Sequence, residues 1–314
     1  MSPASSIDLR VTLCGLEFRN PIIAASGTFG YGVEFADVLS LDALGGLVTK
    51  GLSREPMPGN TAPRMIETAA GMLNAIGLQN VGVAAFIKDK LPELRRVTRT
   101  NIIANVFGFL VDDYIAVIEQ LNAAEGIAAY ELNVSCPNTR HGGMVFGTDP
   151  HLLEEVVVRV RRTTERPLIV KLSPNVTSIA QMAHVAEEAG ANALSVANTY
   201  LGLAIDAETR RPRLRNLTGG LSGPAIKPLS LRLVMESSRA VRIPVIGIGG
   251  ITNAEDVIEF LLAGATAVQV GTASYADPRA TENIARELRT WCLRHRVMRP
   301  SDLTGGLLLD APTP

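Results

Sequence analysis

Residues 244–272 read PVIGIGGITNAEDVIEFLLAGATAVQVGT, and this stretch decides the fold. A short apolar run at 244–248 ends in two glycines and is followed by a segment of helical period at 254–263. A second apolar run at 267–270 again ends in glycine. Short β-rich runs separated by helical segments are typical of parallel strands joined by helices.

The same strand–helix unit recurs along the whole chain. Strands are predicted at 21–25, 46–49, 102–106, 128–133, 168–172, 193–197, 244–248 and 267–270. Helices are predicted at 33–41, 81–95, 112–124, 152–164, 179–189, 229–238, 254–263 and 279–295. Eight units favour a (β/α)8 barrel over an open, doubly wound sheet, and we expect one domain covering residues 1–314.

Segments outside these units add detail to the barrel. Residues 10–13 and 16–18 predict an N-terminal hairpin that closes the bottom of the barrel. Long loops follow strands 2, 4 and 6, at 51–80, 136–147 and 200–227, and long loops in compact domains are usually functional. The third loop carries four arginines between 210 and 215, which suit either a solvated loop or a partner or substrate contact.

Composition excludes several classes of protein. The 314 residues carry 30 basic and 31 acidic side chains, and only 4% are aromatic, which argues against a nucleic-acid surface. Three widely spaced cysteines argue against a disulfide framework or a cysteine-ligated metal cluster and favour a reducing compartment. The sequence shows neither a signal peptide nor a long apolar span, so we expect a cytoplasmic protein with no metal site of its own.

Polar side chains gather at the predicted carboxyl ends of the strands. Cys136 follows strand 4 directly and precedes a proline, so it lies on a loop where barrels place their chemistry. Taken alone, a cysteine at a strand end is more often an inert, reduced thiol than a catalytic one, and the rest of the chain reverses that interpretation. Asparagines and lysines stand at other strand ends, at Asn105, Asn133, Asn198, Lys50 and Lys171. A buried lone ammonium is costly, so each lysine either reaches the rim or meets a bound anion.

The glycines after the last two strands predict a phosphate site. Gly249 and Gly250 follow strand 7, and Gly271 and Thr272 follow strand 8. Barrels often bind phosphorylated ligands at these two loops through backbone N–H groups and a helix N-terminus. Since Rossmann and P-loop glycine patterns are absent from the sequence, we expect a mononucleotide-like ligand in the barrel mouth.

Several runs together resemble class 1 dihydroorotate dehydrogenase over essentially the whole chain. They are NPIIAASGTFG at 20–30, TKG at 49–51, GMLNAIGLQN at 71–80, ELNVSCPN at 131–138, VANT at 196–199 and GGLSGPA at 219–225. The form is most similar to the class 1B catalytic subunit. That form implies a partner subunit with FAD and a [2Fe–2S] cluster, NAD as acceptor, and a homodimer core within a heterotetramer.

The resemblance implies one FMN per chain, lying across the barrel mouth. Its contacts would be Ser26, Lys50, Gly51, Asn105, Asn133, Lys171, Ala197, Gly223, Gly249, Gly250, Gly271 and Thr272. Position 197 usually holds a larger aliphatic residue in this family, so the resemblance does not determine how the side chains around Ala197 pack.

Dihydroorotate would stack on the flavin and be oxidised to orotate in pyrimidine (UMP) biosynthesis. The resemblance assigns Cys136 as the base at C5, with hydride passing from C6 to the flavin. The substrate contacts would be Lys50, Asn74, Ala75, Ile76, Gly77, Leu78, Asn133, Asn138, Asn198 and Thr199. Cysteine as base, where the membrane-bound class 2 enzymes use serine, favours class 1.

Three related activities compete with this interpretation. Dihydropyrimidine dehydrogenases also place a cysteine over FMN, but their chains carry further ferredoxin-like cysteines. The fumarate-linked class 1A enzyme works without a partner, and residues 72–80 look more like class 1B. A tRNA dihydrouridine synthase would be expected to carry a more basic surface.

Overall fold

The structure is a computed structural model that describes residues 7–134 and 146–309. Cys136 and Asn138, predicted as site residues, lie outside the described residues. The strands are β1 (Val11–Leu13), β2 (Leu16–Phe18), β3 (Ile22–Ala24), β4 (Gly46–Val48), β5 (Met65–Thr68), β6 (Gly71–Asn74), β7 (Asn101–Val106), β8 (Ala129–Asn133), β9 (Leu168–Lys171), β10 (Ala193–Val196), β11 (Tyr200–Leu203), β12 (Ile205–Asp206), β13 (Arg211–Pro212), β14 (Thr218–Ser222), β15 (Val245–Ile248) and β16 (Ala267–Val270).

The helices lie between and after these strands. They are α1 (Val83–Ala85), α2 (Leu91–Val97), α3 (Val111–Asn122), α4 (Pro150–Arg161), α5 (Ile179–Glu188), α6 (Lys227–Ala240), α7 (Ala254–Leu262), α8 (Ala273–Ala276) and α9 (Ala280–His295). A π-helical turn, Phe86–Lys90, joins α1 to α2.

Eight parallel strands close into a barrel in the order β3, β4, β7, β8, β9, β10, β15 and β16. Each falls on one of the eight predicted strands, so the predicted (β/α)8 fold is confirmed. The short strands β3, β4, β9, β10, β15 and β16 are buried along their whole length. Such continuous burial is expected of parallel strands covered on both faces and explains their unbroken apolar runs.

Side chains inside the barrel form layers because alternate residues of each strand face inward. The lowest layer is apolar and packs against Val11, Leu13 and Phe18 of the hairpin β1–β2, which closes the bottom as predicted. It takes one residue from each barrel strand: Ile23, Val48, Ile103, Ala129, Ile169, Ala193, Ile246 and Ala267.

Two positions further along each strand, six of the eight inward-facing residues are polar or charged. The eight residues are Ala25, Lys50, Asn105, Glu131, Lys171, Ser195, Ile248 and Gln269. The change from apolar to polar occurs toward the carboxyl ends of the strands, where barrels place their active sites.

The helix predicted at 33–41 is the one element that the structure contradicts. The segment forms only two short 3₁₀ turns, Val33–Phe35 and Leu41–Ala43. Ser40, between them, has an extended backbone, with φ −77° and ψ 107°. A segment this short has little helical stability of its own, so packing around it decides its conformation.

The two long loops after the second and sixth barrel strands fold together at the barrel mouth, which the sequence did not predict. β5 and β6 come from the first loop, and β11 and β14 come from the second. They form one antiparallel sheet in the order β11-β14-β6-β5. A small hairpin, β12–β13, carries Arg211 beside this sheet.

Candidate active site

A cavity of about 770 Å³ opens at the carboxyl ends of the barrel strands. Its volume is in the range of small-molecule and cofactor sites. Most of the predicted site residues line it: Ser26, Lys50, Gly51, Asn74, Ile76, Gly77, Leu78, Asn133, Lys171, Ala197, Asn198, Thr199, Gly223, Gly249, Gly250, Gly271 and Thr272.

Two predicted residues do not reach the wall of the cavity. Ala75 is fully buried in a small cluster under the mouth sheet, with Leu73 and Leu214. Asn105 is fully buried behind Gly51, where a Cβ added to the glycine would lie 3.0 Å from Asn105 Oδ1. The orientation of Asn105 is therefore set by its buried neighbours.

One end of the cavity is a cradle of backbone. Gly249 and Gly250 have φ values of 131° and 77°, which side chains rarely adopt. A Cβ on Gly250 would lie 2.9 Å from the carbonyl oxygen of Gly223, and one on Gly249 would lie 2.2 Å from Ser230 Oγ. Only glycine fits at these two positions, because neighbouring protein atoms already fill the space of a Cβ. The backbone that they expose to the cavity is suited to close approach of a phosphate to N–H groups.

The N-terminus of α7 is already closed by a capping box, in which the N-cap residue Asn253 pairs with Asp256. Asp256 Oδ2 accepts hydrogen bonds from the N–H groups of Thr252 and Asn253, at 2.7 and 3.2 Å. Its Oδ1 accepts from Lys227 Nζ at 2.7 Å. These two amides therefore serve the capping box, and the glycine backbone is the part of this loop that is left to bind an anion.

Lys50 brings a positive charge to the middle of the cavity. Burial and the nearby Arg64 guanidinium lower the pKa of Lys50, while Glu34 acts in the opposite direction. Removing an ammonium from water is costly unless an anion accompanies it. A carboxylate bound beside Lys50 would relieve that cost.

Amide side chains line the same cavity as Lys50. Asn198 Nδ2 donates to Asn133 Oδ1 at 3.4 Å, and Asn198 Oδ1 accepts from the N–H of Thr199 at 2.8 Å. Across the mouth, Asn74 Nδ2 donates to the carbonyl of Gly220 at 3.4 Å. The amides thus come from β8, from the loop just after β10 and from the mouth sheet, as suits a planar ligand with carbonyl and N–H groups.

The sequence interpretation missed a buried polar network under the cavity. Glu131 is fully buried and accepts hydrogen bonds from Asn105, Ser195 and Gln269. Lys171, which lines the cavity, has its Nζ 4.0 Å from Glu131 Oε1. The available signal was an acidic residue inside an otherwise apolar strand, two positions before the predicted Asn133.

The chain is similar to known dihydroorotate dehydrogenases. The family model "Dihydroorotate dehydrogenase" matches residues 8–291. A Solibacter usitatus protein named "Putative dihydroorotate dehydrogenase A (fumarate)" is 58% identical over 95% of this chain and 98% of its own length. "Dihydroorotate dehydrogenase B (NAD(+)), catalytic subunit" of Pelobacter propionicus is 56% identical over 96% of this chain and 98% of its own. The Geobacter sulfurreducens protein of that name is 53% identical, with the same coverage.

Within the described parts of the chain, each helix is either too short or too polar to cross a bilayer. The match with the family model covers the barrel from the hairpin to α9. The resemblance predicted from the motifs is thereby confirmed, and the chain belongs to the dihydroorotate dehydrogenase family.

Proposed function

We propose that this chain oxidises dihydroorotate to orotate with FMN as its cofactor, in pyrimidine biosynthesis. One observation carries the proposal: a single cavity joins a glycine cradle suited to phosphate with a lysine and amide wall suited to a carboxylated planar ring. The family membership supports the same reaction.

The residues of the cradle fit FMN. Gly249, Gly250, Gly271 and Thr272 would hold the phosphate through close backbone contact, with Gly223 as a further cofactor contact beside them. Lys171 would face the flavin ring and stabilise negative charge at its N1–C2=O edge. The bound flavin would supply the acceptor for the hydride that leaves C6 of the substrate.

Oxidation of dihydroorotate requires a positive charge for the substrate carboxylate, hydrogen-bonding groups for the substrate ring, and a base. Lys50 would pair with the carboxylate of dihydroorotate, and Asn133 and Asn198 would hydrogen-bond its ring amides. Cys136, outside the described residues, is the proposed base that removes the C5 proton. A free thiol has a pKa near 8.5, so a modest downward shift makes it a competent base.

The two candidate versions of this function differ in their electron acceptor. The names of the Pelobacter and Geobacter relatives specify NAD and a catalytic subunit, so we propose a homodimer core with partner subunits carrying FAD and [2Fe–2S]. The name of the Solibacter relative specifies fumarate. A fumarate-linked enzyme without a partner is therefore the second candidate.

Anaerobic mixing with dihydroorotate tests the chemistry. The purified yellow protein should bleach at the flavin band, while Cys136→Ala should bleach far more slowly, by a factor of about 10² or more. A wild-type protein that binds FMN and stays yellow, or a Cys136→Ala variant that bleaches equally fast, contradicts the proposed roles.

The acceptor is tested on the same reduced protein. Fumarate and NAD are added separately, with and without the candidate partner subunit. Reoxidation by NAD that needs the partner supports the two-subunit enzyme. Fast reoxidation by fumarate, or by NAD without the partner, contradicts it.

A further inference from the structure

Glu131 is a charged residue at the centre of the barrel interior, fully shielded from water. Its Oε1 accepts from Asn105 Nδ2 at 2.7 Å. Its Oε2 accepts from Ser195 Oγ at 2.7 Å and from Gln269 Nε2 at 2.5 Å. Three strands besides its own, β7, β10 and β16, thus converge on this one carboxyl group.

The hydrogen-bond pattern is that of a carboxylate. Gln269 Nε2 also donates to Ser195 Oγ, at 3.1 Å, so the serine hydroxyl proton is available for Glu131. Both oxygens of Glu131 therefore receive donors, and an ionised carboxyl group is purely an acceptor. A buried charge of this kind is costly unless it is compensated nearby.

Lys171 supplies the compensation and connects the network to the cavity. Its side chain is 8% exposed, and its Nζ lies 4.0 Å from Glu131 Oε1, beyond hydrogen-bond distance. The ammonium lines the cavity, so it is shared between Glu131 below and a ligand above. Any negative charge that a ligand gains competes with Glu131 for this cation.

Two further hydrogen-bond acceptors add negative potential beneath the cavity. Among the described residues, Asn105 Oδ1 and Gln269 Oε1 are buried with no hydrogen-bond partner. Both side chains use their N–H groups on Glu131 and leave their carbonyl oxygens unpaired. The carboxylate thus fixes which way these amides point.

We propose that Glu131 is a positioning residue that sets the redox potential of the bound flavin. The charge of Glu131 orients the side-chain amides of Asn105 and Gln269 beneath the cavity. It also opposes the negative charge that a flavin gains on reduction, so it holds the midpoint potential of the flavin low. This inference rests on the proposed function, since it requires FMN in the cavity.

The test compares Glu131→Gln with wild type after reconstitution of each apoprotein with FMN. The midpoint potential is measured by stepwise reduction beside a reference dye. Glu131→Gln should shift the potential to a more positive value, favouring reduced over oxidised FMN by about tenfold more than wild type does. That is the size expected for one unit charge acting across a partly polar interior.

Two matched variants separate charge from packing. Ser195→Ala removes a hydrogen bond to Glu131 without removing charge, and Glu131→Asp keeps the charge. Both should stay near the wild-type potential even if they unfold at lower temperature. A potential in Glu131→Gln that equals wild type, or a shift of equal size in Ser195→Ala, overturns the inference.

A double variant covers the case in which Glu131→Gln does not fold because Lys171 is left alone. Glu131→Gln with Lys171→Gln leaves no lone buried charge. In Lys171→Gln alone, Glu131 keeps its three hydrogen-bond donors, Asn105, Ser195 and Gln269, so its charge stays compensated. The double variant should have a more positive potential than Lys171→Gln. Equal potentials in these two proteins overturn the inference. A wild-type apoprotein that does not bind FMN overturns the proposed function itself, and this inference with it.

Discussion

Lys50 shows how one side chain can carry both a cost and a function. It is half-buried and close to Arg64, and both conditions lower its pKa. In the folded protein the charged form is therefore held at a disadvantage. An anionic ligand that pairs with it removes this disadvantage, so ligand binding and protonation of Lys50 favour each other.

The affinity for orotate should therefore depend on pH through Lys50. As the pH rises through the lowered pKa, the ammonium is lost and orotate should bind more weakly, beginning below the range of an ordinary lysine. Lys50→Arg keeps its charge and should show a flatter profile in the same isothermal titrations. Parallel profiles for the two proteins would assign the pH dependence to the ligand instead.

Helix α7 illustrates how an element beside the site is held in place. Burial alone would raise the pKa of Asp256, but hydrogen bonds from Lys227 and Thr252 outweigh it and lower the pKa. The carboxylate completes the capping box of the helix and joins it to α6 through Lys227. The loop with Gly249 and Gly250 leads directly into this cap.

Asp256→Asn should lower the free energy of unfolding by about 2 kcal/mol, as expected for a lost charged hydrogen bond with Lys227 and a weakened capping box. Because the pKa is lowered, the contribution of Asp256 is present above its unfolded pKa, near 3.9, and is lost as the pH falls through the folded value. Urea unfolding at pH 7 should thus show a larger difference between variant and wild type than at pH 3.5. Glu259→Gln, at the more exposed partner of Lys227, is the control and should cost less than about 0.5 kcal/mol.

Elements with a strong local pattern could be predicted from the sequence, and those that depend on distant partners could not. The barrel strands are apolar runs next to periodic helices, so each was found within a residue or two. The strands β6 and β14 could not be found this way, because their pairing joins segments far apart in the chain. The segment 33–41 has a helical pattern, but it lies among glycines and packs as short turns.

The site could be predicted from the sequence where the residue type alone indicates the chemistry. Lysines, asparagines and glycines at strand ends could be recognised, and most of them line the cavity. Asn105 and Glu131 show the limit, since sequence does not say which polar residue of a strand faces the ligand and which lies beneath it.

The whole barrel separates stability from function along its axis. The bottom layer and the hairpin are apolar, and the layer toward the mouth is mostly polar. Because the apolar core lies at the bottom of the barrel, the mouth can hold charged side chains that an apolar core would not tolerate.

Phe18→Ala should expose this separation. Phe18 is 1% exposed and packs under the lowest layer, so its truncation should cost about 3–5 kcal/mol in urea unfolding. The dissociation constant for FMN of the folded variant should stay near wild type. Thr12→Ala, on the exposed side of the same hairpin, is the control for stability. A large loss of FMN affinity in Phe18→Ala would show that the two ends are not independent.

The mouth sheet has a consequence for how ligands influence one another. Asn74 pairs in register with Gly220, and Met72 pairs with Ser222, which precedes Gly223 in the glycine cradle. Orotate at one end and FMN at the other would therefore contact the same sheet. Thermodynamic reciprocity then requires that if orotate tightens FMN binding, FMN tightens orotate binding by the same factor. Titrating each ligand in the presence and absence of the other measures both factors, and a factor of one would mean that the two strands transmit nothing.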